Sequence, residues 1–360
     1  LPFARGRDEV RLAHANRANR QPDHAMPAPG TPLSPHEPTA PIPVAPIPVA
    51  PIPVALTRCA DYAPAPLQDA VREVLQAARV APAPGTRVLV KPNLLAATPG
   101  GLACTHPAVV RAACVHLLDL GCRVTVGDSP AFGSANAVAR RIGLTDALRG
   151  LGVDVVDLGA PRRLALRFDT PPETASIGVS RHALDADMIL SVPRLKAHCQ
   201  MRATASVKNL FGVVPGTRKA VAHTRHGDSP DRFAALIVQV LDALPPCAAL
   251  ADGVVAMHRH GPRQGGPFPL GLVGASAVPA ALDTALYALL GLAPADVPLW
   301  RELARRGAPG ARPEDLAFPL LAPGDFDASA FVFPETIPVS FKPLALLRTA
   351  LQRAWHRLRP

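Results

Sequence analysis

The chain has 360 residues, 48% of them hydrophobic and 18% charged, with 43 prolines and a formal net charge of +10. That apolar share is enough for a core that needs no disulfide or metal staple. Aromatic residues make up only 4% and are not interleaved with basic ones, which excludes a single-strand nucleic-acid platform and removes nucleic acid from the expected partners.

Residues 1–55 read as a disordered, Pro-rich leader that ends in three successive PIPVA repeats from Pro41 to Ala55. Proline at every second or third position favours extended polyproline II over helix or sheet ladders, so the leader reads as a spacer. A docking arm for a proline-reading partner is the alternative.

From residue 56 to about 300 the pattern is a single α/β domain. Apolar spacing predicts helices over 68–80, 107–120, 136–151, 231–244 and 279–290. Short apolar runs predict strands over 87–90, 123–126, 153–158, 188–192, 248–251 and 270–273, with a hairpin over 162–180 on the sheet edge. Strand and helix alternate, and several strands end in polar residues: Lys91 and Asn93 after the first, Asp128 and Ser129 after the second, Asp252 after a later one. That is the signature of a mainly parallel sheet with flanking helices and a ligand site at the carboxyl ends of its strands. Residues 301–360 form an extension whose last part, 343–359, has leucines at helical spacing and arginines on its other faces. Such a helix packs its leucine stripe on its own domain, with contact to an anionic membrane surface as the alternative.

Cys59, Cys104, Cys114, Cys122, Cys199 and Cys247 form no CxxC pair, so no zinc knuckle or ferredoxin-type run is written locally. No stretch reaches 18 apolar residues and no secretory signal is visible, which points to a cytoplasmic chain with reduced thiols.

The richest stretch is 191–227. Only five of the 38 basic residues are lysines, and three of them, Lys196, Lys208 and Lys219, fall here with His198, Asn209, His223 and His226. In a chain that uses arginine so freely, lysine retained at such places suggests a task for a compact, deprotonatable ammonium.

These residues carry a resemblance. KPNL at 91–94, THP at 105–107, GDSP at 127–130, PRLKAH at 193–198, SVKNLFGVVPG at 206–216, His223, DG at 252–253 and GP at 261–262 followed by Gly265 resemble, in order, the motifs of the domain-of-unknown-function family 362. Many members of that family carry an appended ferredoxin-like module and are described as iron–sulfur proteins, so the resemblance implies a redox association. This chain lacks the cysteine run, and a [4Fe–4S] cluster within it is not expected. It also departs from the aspartate-proline pair that the family commonly shows, keeping Pro279 without the acid, although Asp283 follows.

If the strand ends share one rim, Lys91, Lys196 and Lys208 converge with Asn93, Asn209 and Asp128 on a small phosphate- or carboxylate-bearing ligand. Lys196, Lys208, His198 and Asp128 are the expected catalytic groups. The expected ligand-binding groups are Lys91, Asn93, His106, Ser129, Asn209, Lys219, His223 and Asp252. A metal held by His106, His198 and His223 with Asp128 and Asp252 is a further reading, although the ligand spacing is poor. No Walker A loop or nucleophile elbow is present. The function expected is that of an enzyme acting on a small anion. The alternative is a redox accessory protein whose cluster or cofactor comes from a partner.

Overall fold

The computed structural model describes residues 50–98, 101–130 and 133–336. The leader before residue 50 and the helix expected over 343–359 lie outside them. The strands are β1 (Ile52–Arg58), β2 (Arg87–Pro92), β3 (Arg123–Asp128), β4 (Val155–Asp157), β5 (Pro161–Arg167), β6 (Thr174–Ser180), β7 (Met188–Val192), β8 (Arg194–His198), β9 (Arg202–Thr204), β10 (Cys247–His258), β11 (Gly266–Phe268), β12 (Leu272–Ser276) and β13 (Leu316–Ala317). The helices are α1 (Pro64–Ala77), α2 (Pro107–Asp119), α3 (Ala135–Arg141), α4 (Leu144–Ala147), α5 (Arg181–Leu184), α6 (Ser206–Leu210), α7 (Arg218–His226), α8 (Pro230–Asp242), α9 (Pro279–Leu289) and α10 (Pro298–Arg305).

The apolar runs 88–90 and 188–192 become central strands because both of their faces are covered. The main sheet runs β13-β1-β12-β10-β7-β2-β3-β4, and the block from β10 to β4 is parallel throughout. Near-continuous burial of β2, β7 and β10 is what a doubly covered parallel sheet requires. Val71, Val74 and Leu117 from α1 and α2 belong to the core on one face. Leu236 and Leu286 from α8 and α9 belong to the core on the other. The architecture is thus the expected α/β fold with a mainly parallel sheet and flanking helices. No helix among the described residues is long and apolar enough to cross a membrane.

Four local expectations need correction. The third PIPVA repeat is not spacer, because Ile52–Arg58 is a strand paired antiparallel with β12, with Val54 and Ala55 fully buried. Pro53 sits near the start of that strand, where a missing N–H is tolerated. The single helix expected over 136–151 is two, α3 and α4, broken at Gly143, whose φ of +79° is the left-handed value that ends a helix. The hairpin β5–β6 is a separate two-stranded sheet rather than an edge of the main one. The strand expected to end at Ala251 runs on to His258 and carries Asp252 in its interior.

Candidate functional site at the strand ends

Strand β2 delivers Lys91 and β3 delivers Asp128 to the same end of the sheet, where Lys91 Nζ lies 2.7 Å from Asp128 Oδ1. Lys91 is 0% exposed and Asp128 4%. The carboxylate is otherwise occupied by the backbone N–H groups of Leu94, at 2.7 Å, and Ser129, at 2.8 Å. Burial pulls the Lys91 ammonium below its usual range, and the attraction of Asp128 opposes this. Gly212 closes over the pair: a Cβ there would stand 2.6 Å from Asp128 Oδ1 and against Lys91 Nζ. Only glycine allows the chain so near.

The two asparagines hold the lysines. Asn209 donates from Nδ2 to the carbonyl of Lys91 at 3.0 Å and to Ser191 Oγ at 3.1 Å, and its Oδ1 accepts from Asn93 Nδ2 at 3.1 Å and Lys91 Nζ at 3.4 Å. Asn93 Oδ1 accepts from Lys196 Nζ at 2.9 Å, and the carbonyl of Ala103 accepts from the same ammonium at 2.8 Å. The amides expected to orient a ligand are therefore occupied in orienting ammonium groups.

Lys196 is 1% exposed. Burial lowers its pKa to about 7; the positive charges of Arg194 and Lys208 add to the shift, and Cys104 opposes it. Lys208 is partly exposed and lies 5.4 Å from the centroid of Phe211 and 5.5 Å from that of Phe233, within cation–π reach. Its pKa falls to about 8, chiefly by burial and further through Lys91. Neither Lys196 nor Lys208 forms an ion pair among the described residues.

His198 and His223 stand near Lys208. His198 Nδ1 accepts from the N–H groups of Gln200, at 3.0 Å, and Met201, at 3.3 Å, which assigns its proton to Nε2. Burial, then the charge of Lys208, keeps His198 neutral far below the usual histidine range. His223 leans on Phe233 with ring centroids 4.3 Å apart, and burial with Lys208 and Lys219 lowers its pKa to about 3. Lys219 Nζ donates to the carbonyl of Ser129, whose Oγ accepts from Gly216 N at 3.0 Å.

Asp252 and His106 belong to a neighbouring network that sequence reasoning had merged with this one. Asp252 is fully buried and accepts from Arg194 Nε at 3.1 Å, Tyr62 Oη at 2.9 Å and the backbone N–H of His106 at 2.8 Å. The His106 ring stacks on Tyr62 at 3.6 Å, while its Nδ1 caps α2 by accepting from Ala108 N. Burial, seconded by Arg194, lowers the His106 pKa. Thr105, next to His106 in the chain, reaches the lysine network through its Oγ1, which accepts from Asn93 N at 2.8 Å and donates to the carbonyl of Val192 at 2.6 Å.

Sequence reasoning noted Asp283 only as an acid after Pro279 and gave it no role. Its two carboxylate oxygens accept from Ser206 N at 2.6 Å and Val207 N at 2.9 Å, which fixes the first turn of α6, the helix that carries Lys208 and Asn209. An acid four residues into an otherwise apolar helix was the available signal.

These side chains do not fit a metal ion or an iron–sulfur cluster. No three His, Cys, Asp or Glu side chains among the described residues stand together as a metal-binding group. His106 uses its Nδ1 as a helix cap and does not group with His198 and His223, so the three-histidine reading is corrected.

Comparison with known proteins agrees with the ordered motifs. A thylakoid-associated protein of Synechocystis sp. is 35% identical over 277 residues, 76% of this chain and 84% of that protein. Among solved structures, a protein from Thermotoga maritima aligns with a TM-score of 0.39 and 11% identity over 59% of this chain and 55% of its own. The apoprotein of lactate racemase from Thermoanaerobacterium thermosaccharolyticum aligns with a TM-score of 0.37 and 13% identity over 57% of this chain and 50% of its own. The family profile of a domain of unknown function, DUF362, matches residues 88–288, which include β3 to β12, the four lysines and both asparagines of the site. The chain belongs to the DUF362 family.

Proposed function

We propose that the chain binds a small phosphate- or carboxylate-bearing substrate or cofactor beside Lys196 and Lys208 and acts on it as an enzyme. One observation carries this reading: half-buried Lys208 lies close enough to buried Lys196 to depress its protonation, and neither forms an ion pair among the described residues. Lys91 has its counter-charge in Asp128. Lys196 and Lys208 do not, and an oxyanion would supply it.

Roles follow from exposure and protonation. Lys208, partly exposed beside His223 and Lys219, is the anchor at the rim. Lys196, with a pKa of about 7, takes up or releases a proton near neutrality, and the neutral His198 presents an N–H donor. Asp128 acts through Lys91. Ser129, Asn93 and Asn209 position the lysines and the loop that covers them. All six cysteines are free thiols, which supports a reducing, cytoplasmic compartment.

Native mass spectrometry of the purified chain, followed by calorimetric titration with inorganic phosphate, tests the reading. A retained small anion or saturable phosphate binding in the wild type, lost in Lys208→Ala, is the expected result. Binding that survives in that variant removes Lys208 from the site. Stoichiometric iron and sulfide with broad visible absorbance after anaerobic purification would replace the oxyanion with a redox centre.

A further inference from the structure

A second cationic recess lies away from the strand ends. The ribbon β5–β6 and helix α7 enclose a cleft of about 1020 Å³. Its lining includes Arg163, Arg167, Arg218 and Arg225 and contains no aspartate or glutamate. All four arginines are exposed, and none forms an ion pair among the described residues. Between the arginines the lining is apolar: exposed Ala165 lies between Arg163 and Arg167 on β5, and exposed Val221 lies between Arg218 and Arg225 on α7.

The cleft is built rather than incidental. Arg232 Nη1 donates to the Thr170 carbonyl at 2.6 Å and Gln239 Nε2 to the Arg167 carbonyl at 2.7 Å, so the ribbon is tied to α8 at two points. Gly178 leaves room for Arg218, whose Nε would lie 3.0 Å from a Cβ at that position. Arg163 and Arg167 share one face of β5, separated by roughly 13 Å at strand rise. Arg218 and Arg225 are two turns apart on α7, roughly 10 Å along its axis.

We infer that this cleft binds an elongated phosphate ester with an apolar or aromatic body, of the nucleoside-polyphosphate kind. Guanidinium groups recognise phosphate oxygens in bidentate fashion and stack on planar rings, and two pairs of them, roughly 10–13 Å apart within each pair, suit an extended chain of phosphates better than one compact anion. The exposed Ala165 and Val221 between them suit the body of such a molecule. The cleft is independent of the lysine centre, although α7 contributes Lys219 and His223 to one and Arg218 and Arg225 to the other.

Calorimetric titration at physiological salt with ATP, pyrophosphate and adenosine tests the inference. The wild type is expected to bind ATP saturably, pyrophosphate at least tenfold more weakly, and adenosine not at all. The double variant Arg163→Ala, Arg225→Ala should lose tenfold or more in ATP affinity. Lys208→Ala, and Arg140→Ala at an exposed position of α3, should lose none. The inference is overturned by the absence of saturation at millimolar ATP, by affinity retained in the double variant, or by an equal loss in Arg140→Ala, which would mark general charge attraction. It is also overturned by loss in Lys208→Ala, which would assign ATP to the lysine centre, or by arginine-dependent sedimentation with phosphatidylserine vesicles in place of ATP binding, which would make the cleft a membrane contact.

Discussion

Lys91 and Asp128, 37 positions apart in sequence, meet at 2.7 Å with almost no exposure to solvent. Such a pair is a weak net stabiliser when intact, because taking both charges out of water offsets most of their attraction. Removing one partner is a different matter. Lys91→Met leaves the Asp128 carboxylate buried beside the Leu94 and Ser129 N–H groups without its cation, and urea unfolding should show a loss of about 3–5 kcal/mol. A loss below about 1 kcal/mol would mean that water or a neighbouring lysine reaches the carboxylate.

Gly212→Ala should be costly for a reason independent of charge. The added methyl would fall against the Lys91 ammonium and 2.6 Å from Asp128 Oδ1, and the salt bridge beneath cannot retreat into a filled core. Overpacking of this kind costs about 1–3 kcal/mol. Thermal unfolding of the variant should show that loss, together with weaker phosphate binding as the lysines are pushed out of register. Unchanged melting and binding would show that the loop lifts freely.

The sheet class and the gathering of lysines were legible because parallel strands read as continuous apolar runs and their polar ends stand out. What Asn93 and Asn209 bond to was not legible. Their partners lie up to 118 positions away, and the choice between facing a ligand and bracing a lysine depends on a register that only the folded sheet sets. Arg194 went unread for a related reason. In a chain so rich in arginine nothing marks one as buried, yet this one is 3% exposed and bound to Asp252. The leader boundary was missed because proline composition outweighed the alternating apolar residues of 52–56, whose burial is decided by β12, more than 200 positions downstream.

Asp283 is a positioning residue for Lys208. Its oxygens hold the Ser206 and Val207 N–H groups, and burial raises its pKa to about 7. Asp283→Asn keeps one acceptor and should cost about 1–3 kcal/mol, the usual price of a buried donor left unpaired. A merely structural role would lower stability alone. The role assigned here also weakens phosphate binding at temperatures where the variant remains folded, and titration of the folded variant separates the two. Because the folded-state pKa is above the usual aspartate value, this group's contribution to stability is full in acid and is lost as pH rises towards about 7.

The protonation of Lys196 and Lys208 sets the pH dependence of anion binding. In the free chain their pKa values lie at about 7 and about 8, lowered chiefly by burial. An oxyanion beside them favours the ammonium forms and raises both, so binding takes up protons wherever the free lysines are partly neutral. Phosphate affinity should therefore fall as pH rises from about 7 to about 9, with up to two protons taken up per anion in that window. Calorimetry in two buffers of different ionisation enthalpy measures the uptake directly, and Lys196→Met should abolish the lower of the two steps. Affinity independent of pH across this window would show that the ammonium groups do not face the anion.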